Sequence, residues 1–306
     1  MRIAIIGRTE ILYETACLLR SVGHEVVCIL TAKDAPEYTR TARDFFDLAE
    51  SWKIPFLQGG RIDEHIDFLR DAEADIGVSM NYTSVIPQTV IDLFPLGILN
   101  AHGGDLPRYR GNACQAWAIL NGEERIGLCI HKMIGEELDS GDIIAREYLP
   151  IDHNTKVTQV WEWIGELTPV LIRESVEKLD GDPGFVLERQ SKDPSEALRC
   201  YPRKSGDGRI DWCKSAIDVL RLINASNKPY AGAFCDFEGE KMIIWDAEFV
   251  GKGENFCAVP GQITKLHDNS VEVACGSGKL KLIDVEFQKR RLRPRAIINS
   301  TRARLN

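Results

Sequence analysis

Asn100 and His102 stand two residues apart at the end of the apolar run Gly97-Ile98-Leu99. On a β-strand, residues two apart share a face. An amide and an imidazole therefore enter one space at the carboxyl end of a strand, where open α/β sheets place their ligands. An amide N–H can stabilise a developing oxyanion, and an imidazole takes and gives protons near neutral pH. The next residues, Gly103-Gly104-Asp105-Leu106-Pro107-Arg108-Tyr109-Arg110-Gly111, are poor at regular structure and suit a loop whose backbone approaches a ligand closely. A third piece, Glu137-Leu138-Asp139-Ser140-Gly141-Asp142, reads as a turn between strand-like residues 127–133 and 143–149 and can return a carboxylate to the same strand end. Alone, such a turn is a tight loop and a histidine at a strand end is a structural residue. Together they outline a catalytic centre.

The elements that must position these groups alternate along the chain. Residues 2–7, 25–30, 54–57, 76–79 and 97–100 read as strands, separated by helical spacing over 9–22, 41–52 and 63–70 and a helix opened by Pro87. That alternation predicts an α/β fold, a Rossmann-like, doubly wound and mostly parallel sheet. The first strand lacks a dinucleotide fingerprint, since Gly7 is its only glycine before Arg8-Thr9-Glu10. Residues 155–180 form a long helical pattern in which Pro169 predicts a kink or a break. A polar stretch follows, then a helix over 215–226 and short strand segments at 242–245, 247–250, 261–266, 270–274 and 280–285, a pattern that suggests a small β-barrel. The expected organisation is a catalytic domain over 1–180, a linker over 181–205 and a C-terminal domain over 206–306.

With 306 residues, 44% hydrophobic and 27% charged, the chain has ordinary globular composition. It shows no apolar run of membrane-spanning length and no signal-peptide pattern, so no membrane partner and a cytoplasmic location are expected. Nine cysteines without a C-x-x-C pair suggest reduced thiols used in packing, Cys114 and Cys129 included. Residues 206–306 carry 16 Lys and Arg against 13 Asp and Glu, a net of +3, while the rest carries 22 against 33, a net of −11. An acidic catalytic half argues against a large polyanionic partner. The basic segment Lys289-Arg290-Arg291-Leu292-Arg293-Pro294-Arg295 is read first as a solvated face, with phosphate recognition and an oligomer contact as the other readings.

These pieces resemble the N10-formyltetrahydrofolate-dependent formyltransferases. The family's N-x-H pair, its loop ending in P-x-Y-R-G and its L-D-x-G-D turn correspond to Asn100/His102, residues 102–111 and residues 138–142. The likeness continues through residues 121–123, 127–133, 207–212 and 229–234, and so covers most of the chain. It implies a catalytic trio of Asn100, His102 and Asp139, with Asp142 as the second-choice carboxylate. It also implies N10-formyltetrahydrofolate as cosubstrate without a metal, an OB-like C-terminal barrel and a homodimer formed through that barrel. By position, Ser79, Met80, Asn81, Tyr82 and Ile86, with Leu138 and Asp142, would surround the pterin, Tyr82 alternatively covering the core. Gly104, Asp105 and Arg110 would face the acceptor, although Arg110 serves equally to hold its loop. Asp139 would either hold a cationic His102 or relay the proton of the attacking amine.

The loop points to the acceptor. Gly-Gly-Asp-Leu-Pro at 103–107 departs from the family majority, and Gly-Asp-Leu-Pro-Arg-Tyr at 104–109, followed by Gly-Asn-Ala at 111–113 and Trp117-Ala118-Ile119-Leu120, is most similar to the sugar-nucleotide N-formyltransferases. The expected acceptor is thus the amine of a nucleotide-linked aminodeoxy sugar destined for a surface polysaccharide such as O-antigen, with nucleic acid disfavoured. The alternative is methionyl-tRNA. Against it stand the acidic half and Thr31–Arg40, which is short and nearly neutral where tRNA-directed members carry a longer basic insertion. A non-catalytic binding protein and a formyltetrahydrofolate hydrolase are further readings with less support.

Overall fold

The computed structural model describes residues 1–35, 38–251 and 255–306. In chain order the elements are β1 (Arg2–Gly7), α1 (Glu10–Ser21), β2 (Glu25–Thr31), α2 (Ala42–Trp52), β3 (Phe56–Gln58), α3 (Ile66–Asp71), β4 (Ile76–Met80), α4 (Gln88–Ile91), β5 (Ile98–His102), β6 (Tyr109–Gly111), α5 (Cys114–Asn121), β7 (Arg125–Lys132), β8 (Ile143–Pro150) and α6 (Val157–Gly181). There follow β9 (Leu198–Cys200), α7 (Ala216–Ala225), β10 (Ala233–Phe237), β11 (Glu240–Val250), β12 (Ile263–Leu266), β13 (Val271–Ala274), β14 (Lys279–Phe287) and β15 (Arg290–Leu292). Two compact units result. One comprises Met1–Gly111, Gly127–Tyr148 and Glu162–Cys200, the other Asn112–Ile126, Leu149–Trp161 and Tyr201–Asn306.

The first unit is built on a seven-stranded sheet ordered β3-β2-β1-β4-β5-β7-β8. Ile3, Ala4, Ile5 and Ile6 of β1 are all fully buried, the continuous apolar run required of a parallel strand covered on both faces. Thr9 caps α1 by accepting from Leu12 N–H, and Thr41 closes a capping box with Asp44 on α2, each worth about 1 kcal/mol. β1, β2, β3, β4 and β5 run parallel; β7 pairs antiparallel with β5. Gly7, at φ +130°, brings β1 so close to β4 that a Cβ there would collide with the Met80 carbonyl, and Arg8 N–H donates to the same oxygen at 3.0 Å. The glycine that ends β1 thus serves strand contact.

The second unit has a six-stranded antiparallel sheet in the order β10-β11-β14-β13-β12, with β15 also on β14. Its core joins Val219, Leu220 and Ile223 of α7 to Ile244, Val273, Leu280, Leu282 and Val285 of the sheet. The parallel-rich α/β sheet and the separate C-terminal antiparallel domain are those expected. Details differ for local reasons. α6 runs unbroken through Pro169, one turn beyond Gly165. Segments 242–245 and 247–250 form the single strand β11, whose register irregularities at Ile244, Asp246 and Ala247 break the alternation that separated them in the sequence. The stretch read as a linker contributes β9, paired in parallel with β6. Among the described residues no helix is long and apolar enough to cross a membrane.

Candidate active site

Register builds the site. Asn100 on β5 is paired with Ser79 on β4 and with His131 on β7, and His102 is paired with Cys129. Cross-strand partners project to the same face, so Asn100, His102 and His131 share one side of the sheet. The Asn100 amide nitrogen lies 3.1 Å from His131 Nε2. The turn after β7 carries Asp139 back to this row: its Oδ2 is 3.5 Å from His102 Nδ1 and its Oδ1 is 3.6 Å from His131 Nε2. The backbone N–H of Gly111 donates to Oδ2 at 2.8 Å. Asn100, His102 and Asp139 therefore converge, with His131 as a fourth member.

Two backbone carbonyls select the tautomers of the neutral rings. A carbonyl oxygen only accepts, so His102 Nε2, 2.6 Å from the Tyr109 carbonyl, carries a hydrogen, and Nδ1 is the nitrogen left to face Asp139. By the same logic His131 Nδ1 donates to the Lys132 carbonyl at 2.9 Å, leaving Nε2 to accept from the Asn100 amide. Burial alone would raise the Asp139 pKa. The positive charge of the His102 and His131 rings when protonated, with the Gly111 N–H, outweighs it and holds the carboxyl well below the usual carboxylate range. The arrangement is thus a neutral donor beside an imidazole whose conjugate acid would meet a fixed carboxylate.

The Asp139 turn is held from an unexpected direction. Asp139 adopts φ +49°, a left-handed conformation that costs a typical side chain about 1 kcal/mol and that Asp tolerates better than most. Gln190, a buried residue between α6 and β9, donates to the carbonyls of Asp139 and Gly141 at 2.9 and 2.6 Å and accepts from Arg110 at 2.9 Å. Arg110 is thereby tied through Gln190 to the Asp139 turn. A Cβ at Gly141 would collide with the Lys132 carbonyl, so glycine is required there.

Asp105 accepts from Arg146 at 2.6 Å and from the Tyr148 hydroxyl at 3.1 Å, so its carboxylate is engaged inside the fold. Gly104 is buried, and a Cβ there would lie 2.5 Å from both His102 Nε2 and the Tyr109 carbonyl. Ile86 is core, 2% exposed among Ala4, Ile6, Val90, Ile91 and Phe94. Tyr82 packs on that cluster while its hydroxyl donates to Gly59, and burial pushes its pKa up to about 12. Ser79 and Met80 are buried at the end of β4, and Asn81 (φ +49°) turns its amide to the Tyr38 hydroxyl at 3.0 Å. Leu138, 43% exposed beside Asp139, is an apolar side chain open to a ligand. The Asp142 carbonyl accepts from Lys132 N–H at 2.9 Å. Cys129 is buried with its thiol pushed up to about 11, which suits packing. Among the described residues no group of three His, Cys, Asp or Glu could hold a metal ion.

His131 was readable from the alternation of Cys129, His131 and Met133 once the turn was placed. Gln190 gave no signal, being one amide in a polar stretch. Replacing Gly104 by Ala is expected to push the His102 ring off the Tyr109 carbonyl. The expected loss in kcat is about 10²-fold with about 1–3 kcal/mol of stability, measured by turnover and thermal unfolding; native turnover would contradict the packing role.

Residues 1–174 match the formyl transferase family and residues 203–302 match the formyl transferase C-terminal domain. The chain belongs to the formyl transferase family. This formyltransferase is 31% identical to the methionyl-tRNA formyltransferase of Solibacter usitatus over 301 residues, covering 97% of this chain and 94% of that one. It is 29% identical to the methionyl-tRNA formyltransferase of Acetivibrio thermocellus over 296 residues, covering 95% and 93%. Among solved structures it is similar to the N-formyltransferase of Helicobacter canadensis, in complex with folinic acid and dTDP-3-aminofucose, with a TM-score of 0.70, 14% identity and coverage of 92% and 97%.

These relationships overturn the sugar-nucleotide acceptor expected from the loop. The relatives similar in sequence along almost the whole chain are methionyl-tRNA formyltransferases, whereas the likeness to a sugar enzyme, at 14% identity, is one of fold. The geometry explains the misreading. Asp105 answers Arg146 and Tyr148 while Gly104 makes room for His102, so these two unusual loop residues have internal partners.

Proposed function

We propose that this formyltransferase moves the formyl group of N10-formyltetrahydrofolate to the α-amine of methionyl-tRNA. The observation that carries the acceptor is the 31% identity, over 97% of the chain, to a methionyl-tRNA formyltransferase. The site chemistry fits the transfer. A formyl group on a folate nitrogen is an activated amide, and attack by an amine creates an oxyanion and an ammonium proton. Asn100 donates to the oxyanion with the amide hydrogen not taken by His131. His102 Nδ1 takes the ammonium proton and returns it to the folate N10 as the oxyanion collapses and the C–N10 bond breaks, releasing tetrahydrofolate and the formylated amine; Asp139, held ionised, stabilises the imidazolium in between. Between orienting His102 and relaying the proton, the depressed carboxyl pKa favours the first, because a weak base is a poor relay. Leu138, with Ser79, Asn81 and Asp142 near the same strand ends, is assigned to the pterin side.

The net acidity of the first two-thirds of the chain argued against RNA, yet local charge governs phosphate contact. The hairpin of β14 and β15 presents Lys289, Arg290, Arg291 and Arg293 as exposed residues, with Asp284 paired to Arg291 at 2.7 Å. We assign this basic edge to the RNA backbone. With four phosphate contacts, affinity for methionyl-tRNA should fall about 10²-fold between 50 and 200 mM salt. Lys289→Ala with Arg290→Ala should flatten that slope. Titration by filter binding tests this, and a salt-independent affinity would count against an RNA acceptor.

A further inference from the structure

His131 belongs to no part of the expected trio, yet its side chain is only 2% exposed and lies against two of the three groups. Its Nδ1 is anchored 2.9 Å from the Lys132 carbonyl, its Nε2 is 3.1 Å from the Asn100 amide nitrogen, and its ring meets that of His102 edge-on at 6.3 Å between centroids. The register of β5 with β7 places it opposite Asn100, so the contact follows from strand pairing.

We propose that His131 is a positioning residue that sets the orientation of the Asn100 amide. An amide can present either its oxygen or its NH₂ to a neighbour, and the two ends are nearly alike in shape. Only the NH₂ end can stabilise an oxyanion. A ring nitrogen bearing a lone pair accepts and does not donate, so His131 Nε2 selects the NH₂ end of Asn100. One of the two amide hydrogens is bound to His131, and the other is left in a fixed direction. Asp139 Oδ1, 3.6 Å from Nε2, is the only carboxylate among the described residues paired with His131, and His102 is the only other imidazole against it. Neither offers the Asn100 oxygen a donor, because the Asp139 carboxylate only accepts and the hydrogen of His102 Nε2 is taken by the Tyr109 carbonyl. The assignment rests on the formyl-transfer reading for its kinetic consequence and on geometry alone for the hydrogen bond.

The test therefore has two arms. In the kinetic arm, His131→Leu removes the acceptor, and kcat for methionyl-tRNA formylation should fall about 30-fold or more, while the Kd of the unreactive 5-formyltetrahydrofolate changes less than about threefold. His131→Gln, whose side-chain oxygen can take the place of Nε2, should recover kcat to within about fivefold of wild type. Turnover of His131→Leu within about threefold of wild type overturns the proposal, as does a Gln variant that binds folate normally and recovers nothing. In the second arm, a ¹⁵N–¹⁵N coupling across the hydrogen bond between Asn100 Nδ2 and His131 Nε2 is expected in the intact wild-type enzyme. Its absence overturns the proposal even if His131→Leu fails to fold. If wild type shows the coupling but formylates no methionyl-tRNA, the acceptor reading fails and the positioning role stands.

Discussion

Asp139→Asn lowers kcat about 10³-fold or more, the largest effect expected of any single substitution in this enzyme. Two causes act together. The imidazolium formed on His102 loses the carboxylate that faces Nδ1 at 3.5 Å. The new amide must also keep its oxygen on the Gly111 N–H, which occupies Oδ2 at 2.8 Å. Its NH₂ then takes the place of Oδ1, 3.6 Å from His131 Nε2, and competes with Asn100 for the same lone pair. The substitution therefore removes charge from one catalytic group and misdirects another. Stability changes with a definite sign. The folded carboxyl is held below its ordinary range, so its ionised form stabilises the fold above the unfolded carboxylate pKa of about 4, and that contribution is lost as pH falls toward the folded value. Wild type should exceed Asp139→Asn in stability at pH 7, and the gap should shrink in acid below about pH 4. Urea unfolding across pH together with single-turnover rates measures both. Turnover within about tenfold of wild type would remove Asp139 from the centre.

Asn100→Ala carries the second-largest effect, a fall in kcat of about 10²–10³-fold from losing one oxyanion donor. The affinity for the folate should change little, because the donor engages charge that develops only as the amine adds. Asn100→Asp is a stricter form of the test. It conserves shape but sets a carboxylate where the oxyanion forms and offers His131 Nε2 no hydrogen at all. Its turnover should lie below that of the Ala variant. Steady-state kinetics with kcat and KM resolved decide the matter: a rise in KM at constant kcat would make Asn100 a binding residue instead.

Much of the centre was legible because its logic is local. Asn100 and His102 share a face by strand alternation, and the turn at 137–142 was marked by its own Asp, Ser and Gly. The α/β sheet was readable for the same reason, as apolar runs of strand length separated by helical spacing. What escaped depends on pairing between distant segments. Gln190 reaches back 51 residues to hold Asp139, and nothing in its neighbourhood marks it. β9 forms only because β6 offers an edge, and Leu198 N–H reaches the Arg108 carbonyl. Ile86 looked like part of a ligand loop because it follows Asn81-Tyr82-Thr83-Ser84, yet it turns into the core beside Val90 and Phe94. The acceptor was misread for a related reason. Loop residues that differ from a family pattern can answer an internal partner, here Arg146, as readily as a substrate.

The most direct measurement is formyl transfer itself. Purified enzyme is incubated with N10-formyltetrahydrofolate labelled in the formyl carbon and initiator methionyl-tRNA, and in parallel with dTDP-, UDP- and GDP-linked amino sugars. The label should appear on the methionyl amine at a rate that collapses in Asp139→Asn and Asn100→Ala. Label on a nucleotide sugar with none on the tRNA, or transfer to methionine unaffected by either substitution, would contradict it.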